Sequence, residues 1–538
     1  MDINISTGLE IAERNNEKMC GVATFNDSMK QEELDKKEET YRTVFRRERD
    51  RILYSGGFRR LQDKTQVISA VKTGDHRTRL THSLEVEQIA VSIADALNLN
   101  IDLTSAIAIG HDIGHTPFGH SVERFLDKEL KDEGGFSHAL ESVRYLISNN
   151  NKMDVSEEII EGILKHDTDV FVYDFDKNGQ VKIKESYYVN QPPGTLEAQI
   201  VYWADKIAYI THDYEDFRNS QILQKNIRDG FIKEVELEEI LYKLLNKKVK
   251  LADYETRDLV RNIIANLIEN SQKNINQSFK YEEIKFKDMD YKEKQMHIRR
   301  ITMGKIQNYY NEDEEFVFLT GLKLSNITDE ELLQRLKEIH EYYKGNKKDN
   351  KKMLKDIEEL KLIIQERIEL KNIINNITNL EILQEQEKID RYKKLCGMKI
   401  DIFKKRISKI KKEAYQKGLI INLSNEYAEQ YKRLRNILDN HYIGSPEIQL
   451  SDAKAERIVS SLFDMYCNNI NILPNEIRKK IEEDIKGIEI DIDKGESRET
   501  KIRRINRRNI ASYIASMSDR YAEQIYKDLN STGSHYGY

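Results

Sequence analysis

The chain has 538 residues, 87 basic against 93 acidic, with a formal net charge of −6 and a mean hydropathy of −0.70. That length predicts more than one packing unit, and the balance of charge excludes a globally basic nucleic-acid binder, leaving only local basic surface for such a role. Three cysteines far apart in sequence, Cys20, Cys396 and Cys467, offer neither a disulfide framework nor a CxxC metal site, which fits a reducing cytosol.

Five prolines and abundant Lys, Glu, Ile and Leu predict a mainly α-helical protein. The first residues, MDINISTGLEIAERNNEK, lack the basic and apolar runs of a secretory signal. No apolar stretch approaches the ~20 residues that span a bilayer. A cytoplasmic protein with no membrane partner is expected.

In chain order, residues 1–40 read as a polar arm, either flexible or a lid that orders on assembly. From Tyr41 an arginine-rich helical stretch runs to FRRLQDKTQV, broken at Gly56–Gly57. A helix entered near Thr81 carries His82 at its start, with apolar positions at Leu84, Ile89, Ile93 and Leu97. DLTSAIAIGHDIGH is nearly all apolar, hence buried, and delivers His111 and Asp112 at its C-terminal end. After a bend at Gly114–Gly119, SVERFLDKEL is helical. Ser137 is expected to cap the next helix and Ser156 the one after. VFVYDF and QVKIKESYYV flank Asn178–Gly179, the signature of one small β-hairpin. A long helix starts near Thr195. Residues 246–345 read as a helical subdomain and 346–412 as a lysine-rich, coiled-coil-like insertion. Residues 413–538 return to globular helical patterns. The insertion and KIRRINRR at 501–508 are the local basic surfaces that could engage nucleic acid.

The segment HDIGHTPFGHSVE, His111 to Glu123, concentrates the chemistry. Five of the twelve histidines fall between His82 and His138, on otherwise apolar helices and beside Asp112. A buried imidazole cluster with no cation or anion would leave ring nitrogens desolvated and unbonded. Imidazole and carboxylate together are the donors of a hydrolytic metal site.

The order H…HD…D, with RLTHS, HDIGHTPFGHSVE, EAQIVYWADKIAYITHDYED, AERIVSSLFDMY and SDRYAEQIY, resembles the deoxynucleoside triphosphate triphosphohydrolases of the HD superfamily, the bacterial dGTPase family. The resemblance implies an HD-domain core at 41–245, completed by 413–538. It implies metal ligation by His82, His111, Asp112 and Asp205, holding Mn²⁺, Mg²⁺ or Fe²⁺. It makes His120 and Glu123 the catalytic pair, three residues apart on one helix face. His115, His138, Arg79 and Lys206, with Lys165 as a weaker candidate, would contact phosphate. Gln66 and Asp213 would bind the 3′-hydroxyl, and the Tyr209 ring would exclude a 2′-hydroxyl. Around His138 the chain departs from the family, with Ala139 and Glu141 where relatives often have Asn and Gln.

The implied reaction is attack of water or hydroxide on a metal-polarised α-phosphorus, with His120 protonating the 5′-oxygen to give a deoxynucleoside and tripolyphosphate. The implied partners are a dNTP substrate, further copies in a homo-oligomer (a hexamer), and single-stranded DNA or an allosteric dNTP as regulator. The competing readings are another HD-type phosphohydrolase or nuclease, and a nucleic-acid-regulated dNTPase.

Overall fold

The computed structural model describes residues 6–37, 41–66, 77–133, 135–148, 153, 155–167, 192–247, 256–279, 289–312, 412–486 and 497–530, with parts of 330–341 and 358–372. Among these, regular structure is helical, apart from one isolated antiparallel bridge between Thr65 and Thr78. The expected hairpin lies outside the described residues, and the insertion at 346–412 lies largely outside them. The chain divides into two compact units: Met1–Ile301 with Ile420–Tyr538, and Thr302–Leu419. Helix Thr256–Phe279, expected in a separate subdomain, belongs to the first unit.

The first unit opens with α1 (Gly8–Lys18), α2 (Ser28–Lys37), α3 (Val44–Leu53), α4 (Gly56–Arg60), α5 (Arg79–Ala96) and α6 (Ile101–Gly110). It continues with α7 (His120–Glu129), α8 (His138–Ile147), α9 (Glu157–Lys165) and α10 (Leu196–Asn219). The starts of α5, α6 and α10 follow from local chemistry. Thr78, Asn100 and Thr195 each accept a hydrogen bond from the backbone N–H three residues on, satisfying one of the helix's unpaired donors. Helix α6 is buried from Asp102 to Gly110 and packs against α3, α5, α9 and α10. Each of its large apolar side chains removed from water stabilises the fold by roughly 1.5–3 kcal/mol. The buried side of α5 runs through His82, Val86, Ile89 and Ile93, whereas Leu84, expected on that side, is 43% exposed.

Residues 8–37 do not form a loose arm. A capping box of Thr7 and Glu10 starts α1, and Val22 and Ala23 are buried. Thr24 donates both its backbone N–H and its hydroxyl to the Glu197 carboxylate of α10, at 3.0 Å each. Glu197 also accepts the N–H of Asn100 at 3.1 Å, so one buried carboxylate joins the N-terminal segment to the starts of α6 and α10.

Two expected caps are replaced by carboxylates from other helices. Ser137 makes no capping bond; instead Glu123 of α7 accepts the His138 N–H at 2.8 Å. Ser156 makes none either, and donates to Glu48 of α3 at 2.8 Å. At α8 the ionised Glu123 also opposes the positive end of the helix dipole, which a serine hydroxyl does not.

Helices Pro446–Asn468, Arg498–Ala515 and Asp519–Asn530 complete the core against α7. Val122, Leu126 and Leu130 pack with Val459, Leu462, Phe463, Ile510 and Ile514 in one buried cluster. Within KIRRINRR, Arg507 bonds to Glu129 and Glu133 and Arg508 to the carbonyls of Glu133 and Gly135, so those two arginines serve packing. No described helix is long and apolar enough to cross a membrane.

Candidate functional site

His82 sits in the first turn of α5, His111 at the C-terminal cap of α6, and Asp205 in the middle of α10. The packing of these three helices brings distant stretches of sequence to one point. His82 Nε2 lies 3.0 Å from Asp205 Oδ1, and His111 Nε2 lies 3.8 Å from Asp112 Oδ1 and 3.9 Å from Asp205 Oδ1. Two donors each about 2.1 Å from one octahedral ion stand about 3.0 Å apart at right angles and about 4.2 Å apart when opposite. The observed spacings fall within that range.

The hydrogen bonding agrees. His111 Nδ1 lies 2.6 Å from the Ala108 carbonyl, a bond that places the ring proton on Nδ1 and turns the Nε2 lone pair inward. That buried Nε2 has no hydrogen-bond partner. Arg79 takes one oxygen of Asp112, Nη1 to Oδ2 at 2.7 Å, leaving Oδ1 facing the imidazoles. His82, His111 and Asp112 are thus a donor set that could hold a divalent cation, with Asp205 beside the two imidazoles.

Beyond Asp112 the bend of residues 111–119 carries the chain into α7. Gly119 has φ +75°, ψ −150°, a region open essentially to glycine alone. His120 starts α7, and its Nδ1 lies 3.0 Å from Glu123 Oε2. The other oxygen of Glu123 lies 2.8 Å from His138 Nδ1. Burial works against the Glu123 charge, but His138 and His120 outweigh it and hold the carboxyl well below its ordinary range. Burial likewise disfavours the His138 cation, yet Glu123 and then Asp112 raise it to about 9. His115 stacks on His138 at 4.6 Å between ring centroids, and burial with Arg79 nearby keeps it neutral. His120 is the accessible member, its side chain 42% exposed where His115 is fully buried.

Of the other expected residues, Tyr209 and Asp213 follow Asp205 along α10 at four-residue steps. Gln66 is buried beside the Gly119 turn, its Oε1 without a hydrogen-bond partner. Lys206 spans from Asp167 Oδ1, at 3.5 Å, to the Tyr202 ring, at 4.1 Å. Lys165 is buried and bonds Glu161 at 2.9 Å, so it is spent on an ion pair within α9 that Arg299 also joins.

Several members escaped the sequence reading. His166, next to Lys165, places Nε2 3.1 Å from His138 Nε2 and its ring 4.9 Å from that of His111. Arg435 lies 4.1 Å over the Tyr209 ring, with Nη1 4.0 Å from the buried Asp213. Lys64 is buried and donates to the carbonyls of His115 and Ala515. Asp519 accepts the Phe118 N–H at 2.8 Å and bonds Thr65, pinning the bend from the C-terminal region. Lys64 falls within FRRLQDKTQV and Asp519 within SDRYAEQIY, whereas His166 and Arg435 are polar residues with no signal of their own.

Three helices, α5, α6 and α10, thus bring His82, the His111–Asp112 pair and Asp205 to one point. In family comparison, an HD domain matches residues 79–210, and a phosphohydrolase-associated domain matches 421–528. The chain is similar to proteins named deoxyguanosinetriphosphate triphosphohydrolase-like protein. It is 44% identical to that of Caldanaerobacter subterraneus subsp. tengcongensis over 225 residues, 41% of this chain and 57% of the relative. It is 38% identical to that of Rickettsia felis over 249 residues, 44% of this chain and 64% of the relative. The matched region therefore spans about three fifths of these relatives' length.

Proposed function

We propose that this chain is a metal-dependent deoxynucleoside triphosphate triphosphohydrolase, cleaving a dNTP at the α-phosphate to a deoxynucleoside and tripolyphosphate. The observation that carries the reading is the His120–Glu123 pair, 3.0 Å apart with His120 open to solvent, standing beside a buried His–Asp set suited to a divalent ion. The names of the relatives support the same substrate class. Bound at that set, a divalent ion would polarise phosphate oxygens.

The chain's own groups do the rest. Glu123 orients the His120 ring through Nδ1, leaving Nε2 to carry a proton to the departing 5′-oxygen. His138, whose protonated form Glu123 and Asp112 favour, would offer positive charge to the phosphates. Arg79 holds Asp112 in its ligating orientation. Asp213 and the unbonded Gln66 Oε1 supply acceptors for the 3′-hydroxyl, and Tyr209, braced by Arg435, closes the space a 2′-hydroxyl would need.

Incubation with dGTP and Mn²⁺ followed by chromatography tests this. Deoxyguanosine with tripolyphosphate is expected; dGMP with pyrophosphate, or no turnover of any dNTP, refutes it. His120→Ala should keep dNTP binding while turnover falls by 10²-fold or more, in the range expected of a proton donor.

A further inference from the structure

A second set of ligating groups adjoins the first. His115, His120, Glu123 and His138 each present one ligand atom, all within 4.8 Å of one another. His115 Nε2 is fully buried and has no hydrogen-bond partner, although Glu123 Oε2 stands 4.0 Å away. Leaving a buried ring nitrogen unbonded costs about 1–3 kcal/mol. A lone pair so placed, facing a carboxylate and near two further imidazoles, is complementary to a cation.

We propose that His115, His120, Glu123 and His138 form a second cation site that prefers Zn²⁺ to Mg²⁺ and whose occupation silences the His120–Glu123 pair. Once zinc displaces the proton that Glu123 and Asp112 favour on His138, three imidazoles and one carboxylate make a nitrogen-rich tetrahedral set of the kind zinc takes. Mg²⁺ instead demands oxygen ligands in octahedral array and is poorly served by it. The neighbouring His82, His111, Asp112 and Asp205 set balances two nitrogens with two carboxylates, so the two positions differ in the ion they select. Closing the four donors onto one zinc asks for side-chain shifts of about 1 Å, since zinc ligands at about 2.1 Å stand roughly 3.4 Å apart.

The inhibition follows from imidazole chemistry. A neutral imidazole bound to zinc through either nitrogen has no proton to release near neutral pH, because the remaining N–H is a very weak acid. With His120 ligated and Glu123 neutralised, no donor remains for the leaving oxygen. This inhibitory role rests on the proposed function; the binding itself does not.

The test separates the two. Metal-free full-length chain is titrated with Zn²⁺ by equilibrium dialysis and with Co²⁺ as a visible-absorption probe. In Asp205→Ala, which lacks a ligand of the first set, one Zn²⁺ per chain should still bind, and Co²⁺ should show the intense bands of tetrahedral coordination. Adding His115→Ala, or His120→Ala at the exposed ligand where folding is least at risk, should weaken that binding at least tenfold and abolish the bands. Absence of zinc binding in Asp205→Ala, or binding unchanged by both second substitutions, overturns the site. If the site binds but Zn²⁺ leaves dGTP turnover of the Mn²⁺-loaded chain unaltered, the inhibitory role is overturned. A chain that hydrolyses no dNTP refutes the proposed function and leaves the dialysis result standing.

Discussion

Gly114 holds the two halves of the site together, and Gly114→Ala is the sharpest perturbation available. A Cβ there would lie 2.1 Å from Ser142 N, 2.4 Å from Glu141 C and 2.7 Å from Ser142 Cα, all backbone atoms of α8. No rotamer change relieves such contacts; the bend and α8 must separate by more than ~1 Å to reach ordinary van der Waals distance. The same motion stretches the bond from Gly114 N–H to Ser142 Oγ at 2.9 Å and that from Ser142 Oγ to the His111 carbonyl at 2.8 Å. It also carries His138, on α8, away from Glu123 and Asp112. Overpacking of this kind costs about 1–3 kcal/mol, and ~1 Å of misplacement at a reacting centre costs about 10²-fold in rate. Thermal melting and dGTP turnover of the purified variant measure both. Gly304→Ala is the control: nothing lies within 4 Å of its Cβ, and alanine within the helix Tyr291–Glu312 should stabilise by ~0.5–1 kcal/mol. Wild-type melting and turnover in Gly114→Ala would refute the reasoning.

Other outcomes are expected. Burial raises the Glu48 carboxyl to about 7, so the folded state keeps a proton that the unfolded chain sheds near its ordinary value. Stability is therefore full below about pH 4.5 and lost as pH rises towards 7, by at most ~3 kcal/mol, and Glu48→Gln should flatten the melting-temperature profile between pH 5 and 8. Thr24→Val removes one donor from the buried Glu197 and should lower unfolding free energy by ~1–3 kcal/mol in urea titrations; no change would mean that the N-terminal segment is not anchored there. Saturating Mn²⁺ at about 100 times its dissociation constant should stabilise the wild-type chain by ~2.7 kcal/mol, and EDTA should reverse this. In Asp205→Ala that gain should disappear; its persistence would exclude Asp205 as a ligand.

The candidate site was legible where chemistry is concentrated in sequence and obscure where packing alone creates it. His111, Asp112, His115, His120 and Glu123 stand within one short segment whose composition cannot be explained by a core. Lys165 and His166 show the limit. Neighbours on a helix point ~100° apart, so in the same turn the lysine pairs with Glu161 while the histidine joins His138. Which of the two enters the site depends on how α9 is rotated against α6 and α8, and that is set by contacts with no local signature. The misread N-terminal segment has the same cause. Its few buried residues are too sparse to produce a periodic pattern, yet polar contacts to distant residues fix it: Thr24 to Glu197 and Asn100, Cys20 to Asn98, and Gln31 to Arg42 and Val44. The cap expectations failed because a serine at the right position does not reveal that a distant carboxylate serves the helix instead.

The bond from the Phe118 N–H to Asp519 closes a loop of 401 residues around the bend that separates His111 from His120. On the ribosome, the segment carrying the histidines emerges long before the residue that pins it. Until then Thr65, Phe118 and the apolar face of α7 have no partner, and Val122, Leu126 and Leu130 remain in water. Contacts of such sequence separation form late in folding. The nascent chain would therefore carry its histidine-rich segment early and gain the contact that pins it late.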